Sequence, residues 1–213
     1  RALTVTGVQT CALPIYTIAA DYNYGQITAA WVKRYVEQNG GEVVSTDFFP
    51  LDVTNFGPTI SKIQSAKPDM VMHVLVGTGH LGFLNQWAAA GMKNKIPMAS
   101  TTFGAAGADI EIIKPEAANG VITSYGYYPS IDTPENNAWV AKVKKRYPEK
   151  TPFLTELSAF TWDGMMIWAD AVRTAGSMDR MKLIEVMESG KTYTMPSGKC
   201  TIDPKTHHAV RDV

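Results

Sequence analysis

Three short segments combine the side chains and backbone freedom that binding a small molecule requires. They are Tyr22 and Tyr24 within DYNYG, the run VGTG from Val76 to Gly79, and the pair Thr101 and Thr102. A tyrosine offers an apolar face with one hydrogen-bonding tip, a threonine offers a hydroxyl, and glycine lets backbone amides approach a ligand. That set suits a small, neutral, polar molecule. From the residues alone, Tyr24 is assigned to covering a sheet edge, Tyr22 stands evenly between cover and contact, and Gly77 and Gly79 are assigned to a tight turn. VGTG has the spacing of neither phosphate-binding loop, with no GxGxxG and no lysine followed by serine or threonine, so nucleotide binding is disfavoured.

Catalytic patterns are missing from the sequence. There is no GxSxG nucleophile elbow and no HExxH. Cys200 falls on an expected hairpin, where a thiol is normally buried and structural. His207 and His208 are adjacent, so on a strand they point to opposite faces and cannot share a metal as a pair. His73 alternates with apolar neighbours as a core or edge histidine, His80 opens a helix as a solvated cap, and Asp21 bonds its own turn. The chain is expected to be no enzyme and to need neither cofactor nor metal.

The composition is that of an ordinary globular protein. The 213 residues are 45% apolar, enough for a core in one or two domains. Lysine plus arginine equal aspartate plus glutamate at 20 each, which leaves no electrostatic footprint for nucleic acid or an anionic membrane. No apolar run approaches the roughly 18 residues of a membrane-spanning helix. Cys11 and Cys200 are too few for a disulfide framework or a paired-cysteine zinc site. Val5 to Ile15, VTGVQTCALPI, reads as an in-frame translation of a sequencing-library adapter. Residues 1–15 are therefore set aside, Cys11 with them, and the protein proper is expected to begin near Tyr16 with its natural N-terminus missing.

From Tyr16 onward, short apolar runs alternate with helical stretches, the pattern of parallel strands with crossover helices. Strands are expected at Tyr16 to Ala20, Glu42 to Phe49, Met70 to Leu75, Ile96 to Ser100 and Val121 to Tyr128. The first helix gathers Ile27, Trp31, Tyr35 and Gln38 on one face and stops at Gly40 and Gly41. Thr54 or Asn55 caps a helix to about Ala66, His80 to Ala90 forms the next, and a short one covers Asp109 to Ile113. Thr133, Pro134 and Glu135 make a strong helix start, with that helix running to about Tyr147. Further helices span Phe153 to Ala175 and Asp179 to Ser189, and Tyr193 to Met195 pairs with Lys199 to Ile202 as an antiparallel ribbon. In open α/β sheets ligands bind beyond the carboxyl ends of strands, which is where the three segments fall.

Several motifs occurring in order resemble one family. They are the strand ending in DYNYG, the glycine pair before EVV, PLDVTNFGPTISKIQSAKPD, MVMHVLVGTG, QWAAAGM, SIDTPEN, and Thr206, His207 and His208 near the end. The family is the type I periplasmic binding proteins, in its branched-chain amino acid, amide and urea branch, and VGTG looks most like the urea and short-chain amide members. The resemblance implies two α/β lobes of parallel sheet with flanking helices, closing on a solute by hinge motion. It implies that residues 16–121 form the C-terminal lobe, 122–190 the remaining part of a largely missing N-terminal lobe, and 191–213 a return to the C-terminal lobe. It carries Tyr22 onto the ligand, Thr102 too with Thr101 as runner-up, and Val76, Gly77 and Thr78 onto the same cleft. Amino-acid binders of the family place an acid after the fourth strand, where a desolvated ammonium needs it, and here stand Thr101, Thr102 and Phe103. Urea or a short aliphatic amide is therefore expected over a branched-chain amino acid.

The implied role is the solute-binding component of an ABC importer, working with a membrane permease from the periplasm or as a cell-envelope lipoprotein. The alternatives are a branched-chain amino acid binder, a cytoplasmic amide-sensing regulator of the same fold, and a truncated receptor ectodomain. The coding sequence upstream of Tyr16 discriminates transport from sensing through its signal peptide.

Overall fold

Tyr16, Thr17, Ile18, Ala19 and Ala20 are all buried, the continuous burial of a parallel strand covered on both faces. They belong to a computed structural model that describes residues 13–105 and 107–211. Most of the segment read as adapter, Cys11 included, lies outside the described residues, while Pro14 and Ile15 are the first residues of β1. The chain divides into two units: residues up to 103 with 109–124, and 104–108 with 125 onward.

The first unit runs β1 (Pro14–Ala20), α1 (Asn23–Gln38), β2 (Glu42–Phe49), α2 (Gly57–Ala66), β3 (Met70–Val74), α3 (Thr78–Ala89), β4 (Met98–Ser100), α4 (Ala108–Ile112), α5 (Pro115–Ala118) and β5 (Val121–Thr123). Its five strands are parallel in the order β2-β1-β3-β4-β5. Tyr16, Ile18, Val71 and Leu75 pack against Phe56, Ile60 and Ile63 and against Phe83, Leu84 and Trp87 of α3. On the other face Ala19 and Val74 meet Ala29 of α1.

Several expectations shift. The apolar line of α1 is the exposed one: Ile27, Trp31 and Tyr35 are 59%, 61% and 70% exposed, while Gly25 and Ala29 are buried. Small residues take the inner face because α1 lies close on β1, a Cβ at Gly25 falling 2.0 Å from the Ala20 carbonyl oxygen. Thr54 does not cap α2; Phe56 takes the N-cap position, one residue after Asn55, whose Oδ1 accepts from the Gly57 amide at 3.1 Å, and Pro58 sits in the first turn. The β5 strand is three residues long, and the chain leaves the sheet before Gly126.

The second unit holds α6 (Pro134–Arg146), α7 (Glu156–Ala175), α8 (Arg180–Met187), β6 (Thr192–Met195), β7 (Gly198–Ile202) and β8 (Ala209–Arg211). The Thr133 side chain accepts from the Asn136 amide, as its spacing predicts, and Thr155 with Ser158 forms a reciprocal cap on α7. Gly176 ends α7 in the left-handed conformation. Tyr127, Trp139, Leu154 and Ala159 form one cluster, and Ile167, Tyr193 and Cys200 pin the ribbon to α7. The ribbon is antiparallel as expected, with β8 as an additional third strand. Inside this unit Arg211 Nη1 donates to Asp163 Oδ2 at 2.7 Å and to Ser197 Oγ at 2.6 Å, Ser197 donates in turn to Asp163, and the guanidinium lies 4.1 Å over the Phe160 ring.

Candidate functional site

Strands β1, β3 and β4 are neighbours in the sheet, with Ala19 beside Val74 and His73 beside Ser100, so their carboxyl ends emerge side by side. The three sequence-predicted segments follow those ends directly. Tyr22 is the N-cap residue of α1 and is 40% exposed; its ring centroid lies 6.0 Å from that of Tyr24. Tyr24, read as a mere cover, donates from its hydroxyl to Thr101 Oγ1 at 3.0 Å and so ties the β1 turn to the β4 turn. VGTG is more structured than a free turn, because α3 already begins at Thr78. Gly77 has φ +72° and ψ −153°, and a Cβ there would stand 3.0 Å from the Leu51 carbonyl oxygen, so glycine is required. Thr78 Oγ1 donates to that same carbonyl at 3.2 Å, which turns its hydroxyl away from free use. Val76 is half-buried. No side chain caps α1 or α3, which leaves their first-turn amides to solvent or to a bound group.

Thr101 and Thr102 differ sharply. Thr101 is half-buried, whereas Thr102 is 8% exposed, with its Oγ1 3.3 Å from Ser100 Oγ and 3.4 Å from Nδ1 of both His73 and His80. Ser100 Oγ accepts from the Thr102 amide at 3.1 Å and the Phe103 amide at 2.9 Å, which shapes the whole turn. His80 is no solvated cap. It is buried, with Nε2 3.2 Å from Asp109 Oδ2, and its ring stacks on Phe103. Burial pushes the pKa of both histidines below the usual value, His73 well below, and Asp109 partly offsets this for His80. His73 is a core histidine, as its alternation suggests. Its partnership with Ser100 could have been read only from the strand register.

The remaining candidates have structural roles. Asp21 Oδ1 accepts from Gln26 Nε2 on the first turn of α1, Cys200 is buried, and His207 pairs with Glu188. Among the described residues no cluster of three or more His, Cys, Asp or Glu side chains could hold a metal, and no helix is long and apolar enough to cross a membrane. The second unit separately carries an apolar groove of about 960 Å³ lined by Trp139, Val143, Tyr147, Phe153, Leu157 and Trp162, none of them an expected site residue.

Against known proteins, the model of a family described as periplasmic binding protein matches residues 8–213. The Leu/Ile/Val-binding protein homolog 6 of Brucella melitensis is 27% identical over 202 residues, covering 93% of this chain and 51% of that protein. A solute-binding protein of an ABC transporter from R. palustris, solved with 4-hydroxybenzoate, is 29% identical with a TM-score of 0.79, covering 93% of this chain and 54% of that one. An amino acid ABC transporter substrate-binding protein from Pseudomonas fluorescens shares the fold at a TM-score of 0.83 and 22% identity, covering 94% of this chain and 52% of that one. The chain spans about half the length of the curated relatives it matches.

Proposed function

Since the chain belongs to the periplasmic binding protein family, we propose that its parent protein is the solute-binding component of an ABC importer and that its solute is urea or a short-chain amide. The observation that carries the solute class is the turn after β4, where Thr101 supplies a half-buried hydroxyl and Phe103 a ring, with no carboxylate among Thr101, Thr102 and Phe103. A desolvated ammonium at this position lacks the counter-charge that would offset a cost of several kcal/mol. An uncharged amide meets no such cost and finds donors and acceptors on Tyr22, on the first turns of α1 and α3, and on Thr101. The protein captures the solute in the periplasm and hands it to a membrane permease.

A small aromatic acid is the second reading. It is favoured by the exposed, tilted rings of Tyr22 and Tyr24 beside two helix N-termini without side-chain caps, which suit a carboxylate. The R. palustris relative solved with 4-hydroxybenzoate supports it.

Calorimetric titration of the full-length parent with urea, acetamide, 4-hydroxybenzoate and leucine tests the assignment. Saturable binding of urea or acetamide at about micromolar affinity, with no response to leucine, is the expected result. Binding of 4-hydroxybenzoate alone replaces the amide reading with the second, and tight leucine binding without an amide response overturns both.

A further inference from the structure

Beneath the β4 turn lies a chain of five polar side chains that the solute reading leaves unused. His73, His80, Ser100, Thr102 and Asp109 are each no more than 8% exposed, and all lie in the first unit. Their hydrogen-bond direction follows from chemistry. A carboxylate only accepts, so His80 Nε2 carries the proton toward Asp109, and Nδ1 of the neutral ring accepts from the Thr102 hydroxyl. Ser100 Oγ already accepts from two backbone amides, so its own proton goes to His73 Nδ1 at 3.0 Å. The single ring N–H of neutral His73 then sits on Nε2, which is buried without a hydrogen-bond partner among the described residues.

We propose that this chain is a proton-controlled latch on the β4 turn: with both histidines neutral it holds Thr101 and Thr102 in the solute-facing arrangement, and protonating His80 loosens them. A proton added at His80 Nδ1 points at Thr102 Oγ1 and displaces that hydroxyl's hydrogen. The chain then re-forms only by trading the 3.0 Å bond from Ser100 to His73 for the 3.3 Å and 3.4 Å contacts through Thr102. That change pulls on the oxygen that clamps the Thr102 and Phe103 amides. Two titratable groups face His80: Asp109 from α4, and His73 from β3 at 5.0 Å between ring centroids. Phe103 stacks on His80, and Phe83 of α3 lies against His73; both are uncharged. His80 titrates first, because Asp109 favours its charged form while His73 is fully buried with no counter-ion. With the turn open His80 regains the ordinary value of about 6.5, above its buried one, so the latched form is favoured in full above that pH and loses ground as the pH falls beneath it.

The link to solute affinity rests on the proposed transport role, whereas the latch itself does not, and amide exchange measured by NMR in the full-length parent separates them. The readout is the ratio of intrinsic to observed exchange rate for the Thr102 and Phe103 amides, with a higher ratio at Ile18 in β1 as the check that exchange at the turn is local. That ratio is expected to fall about tenfold between pH 7.5 and 5.0 in the wild type. His80→Gln, whose amide can accept from Thr102 and donate to Asp109 without titrating, keeps a high ratio at both pH values, and His80→Phe lowers it at both. Urea and acetamide affinity follows the same pattern. A flat wild-type ratio, or a glutamine variant that tracks the wild type, overturns the latch. A parent that shows the expected exchange profile yet binds neither solute supports the latch and refutes the amide reading.

Discussion

Replacing Arg211 with methionine is expected to destabilise the second unit by about 3 to 5 kcal/mol, the cost of stranding one partner of a buried ion pair. Asp163 is fully buried, its Oδ2 takes the Arg211 and Ser197 bonds, and its Oδ1 has no partner among the described residues. Methionine keeps an unbranched apolar side chain at the position and removes the guanidinium from both Asp163 and the Phe160 ring, so the loss reports the ion pair together with that ring contact. The double variant Asp163→Leu with Arg211→Met is expected to recover most of the deficit, since an apolar pair of similar volume avoids burying charge at all. The remainder, about 1 kcal/mol, is the Ser197 hydroxyl left without its two partners. Guanidinium chloride denaturation of the parent and the two variants measures these differences. Equal stability of the parent and Arg211→Met would show that the pair does not hold the ribbon to α7.

Gly25→Ala is expected to cost about 3 kcal/mol, at the upper end of overpacking penalties. The added methyl would sit 2.0 Å from the Ala20 carbonyl oxygen and 2.9 Å from two further Ala20 backbone atoms, and backbone cannot step aside as a flexible side chain does. Relief requires lifting the first turn of α1 off the end of β1, which displaces Tyr22 and breaks the Tyr24 to Thr101 hydrogen bond. The variant is therefore expected to weaken solute binding along with stability. Gly164→Ala, on α7 with open space around its Cβ position, is the control and should be neutral or slightly stabilising. A stable Gly25→Ala protein with unchanged affinity would contradict the close approach of α1 to β1.

How much of this was legible in the sequence depends on the range of the interaction. The Thr133, Pro134 and Glu135 start of α6 reads directly, because a cap is settled within four residues. The placement of the three segments at the carboxyl ends of β1, β3 and β4 also reads directly, because a short apolar run followed by a helix start marks the end of a parallel strand whatever its neighbours are. The inner face of α1 did not. Periodicity favours Ile27, Trp31 and Tyr35, but close approach to β1 admits only Gly25 and Ala29, and that distance is a tertiary fact. His80 looked like a cap because its partner Asp109 is 29 residues away. Ser100 and His73 were hidden for the same reason, since only the β3–β4 register sets them side by side. Thr101 and Thr102 were adjacent candidates that spacing could not separate. Burial separates them, with Thr102 committed to the histidines and Thr101 joined to Tyr24.

The most direct test of the central reading is a crystal structure of the full-length parent with its solute, urea or acetamide in the first instance. The expected electron density lies at the carboxyl ends of β1, β3 and β4, with the solute within hydrogen-bond distance of Tyr22, of the backbone between Val76 and Thr78, and of the turn at Thr101 and Thr102. Solute bound instead in the apolar groove of the second unit, around Trp139 and Trp162, with the three strand ends empty, would contradict it.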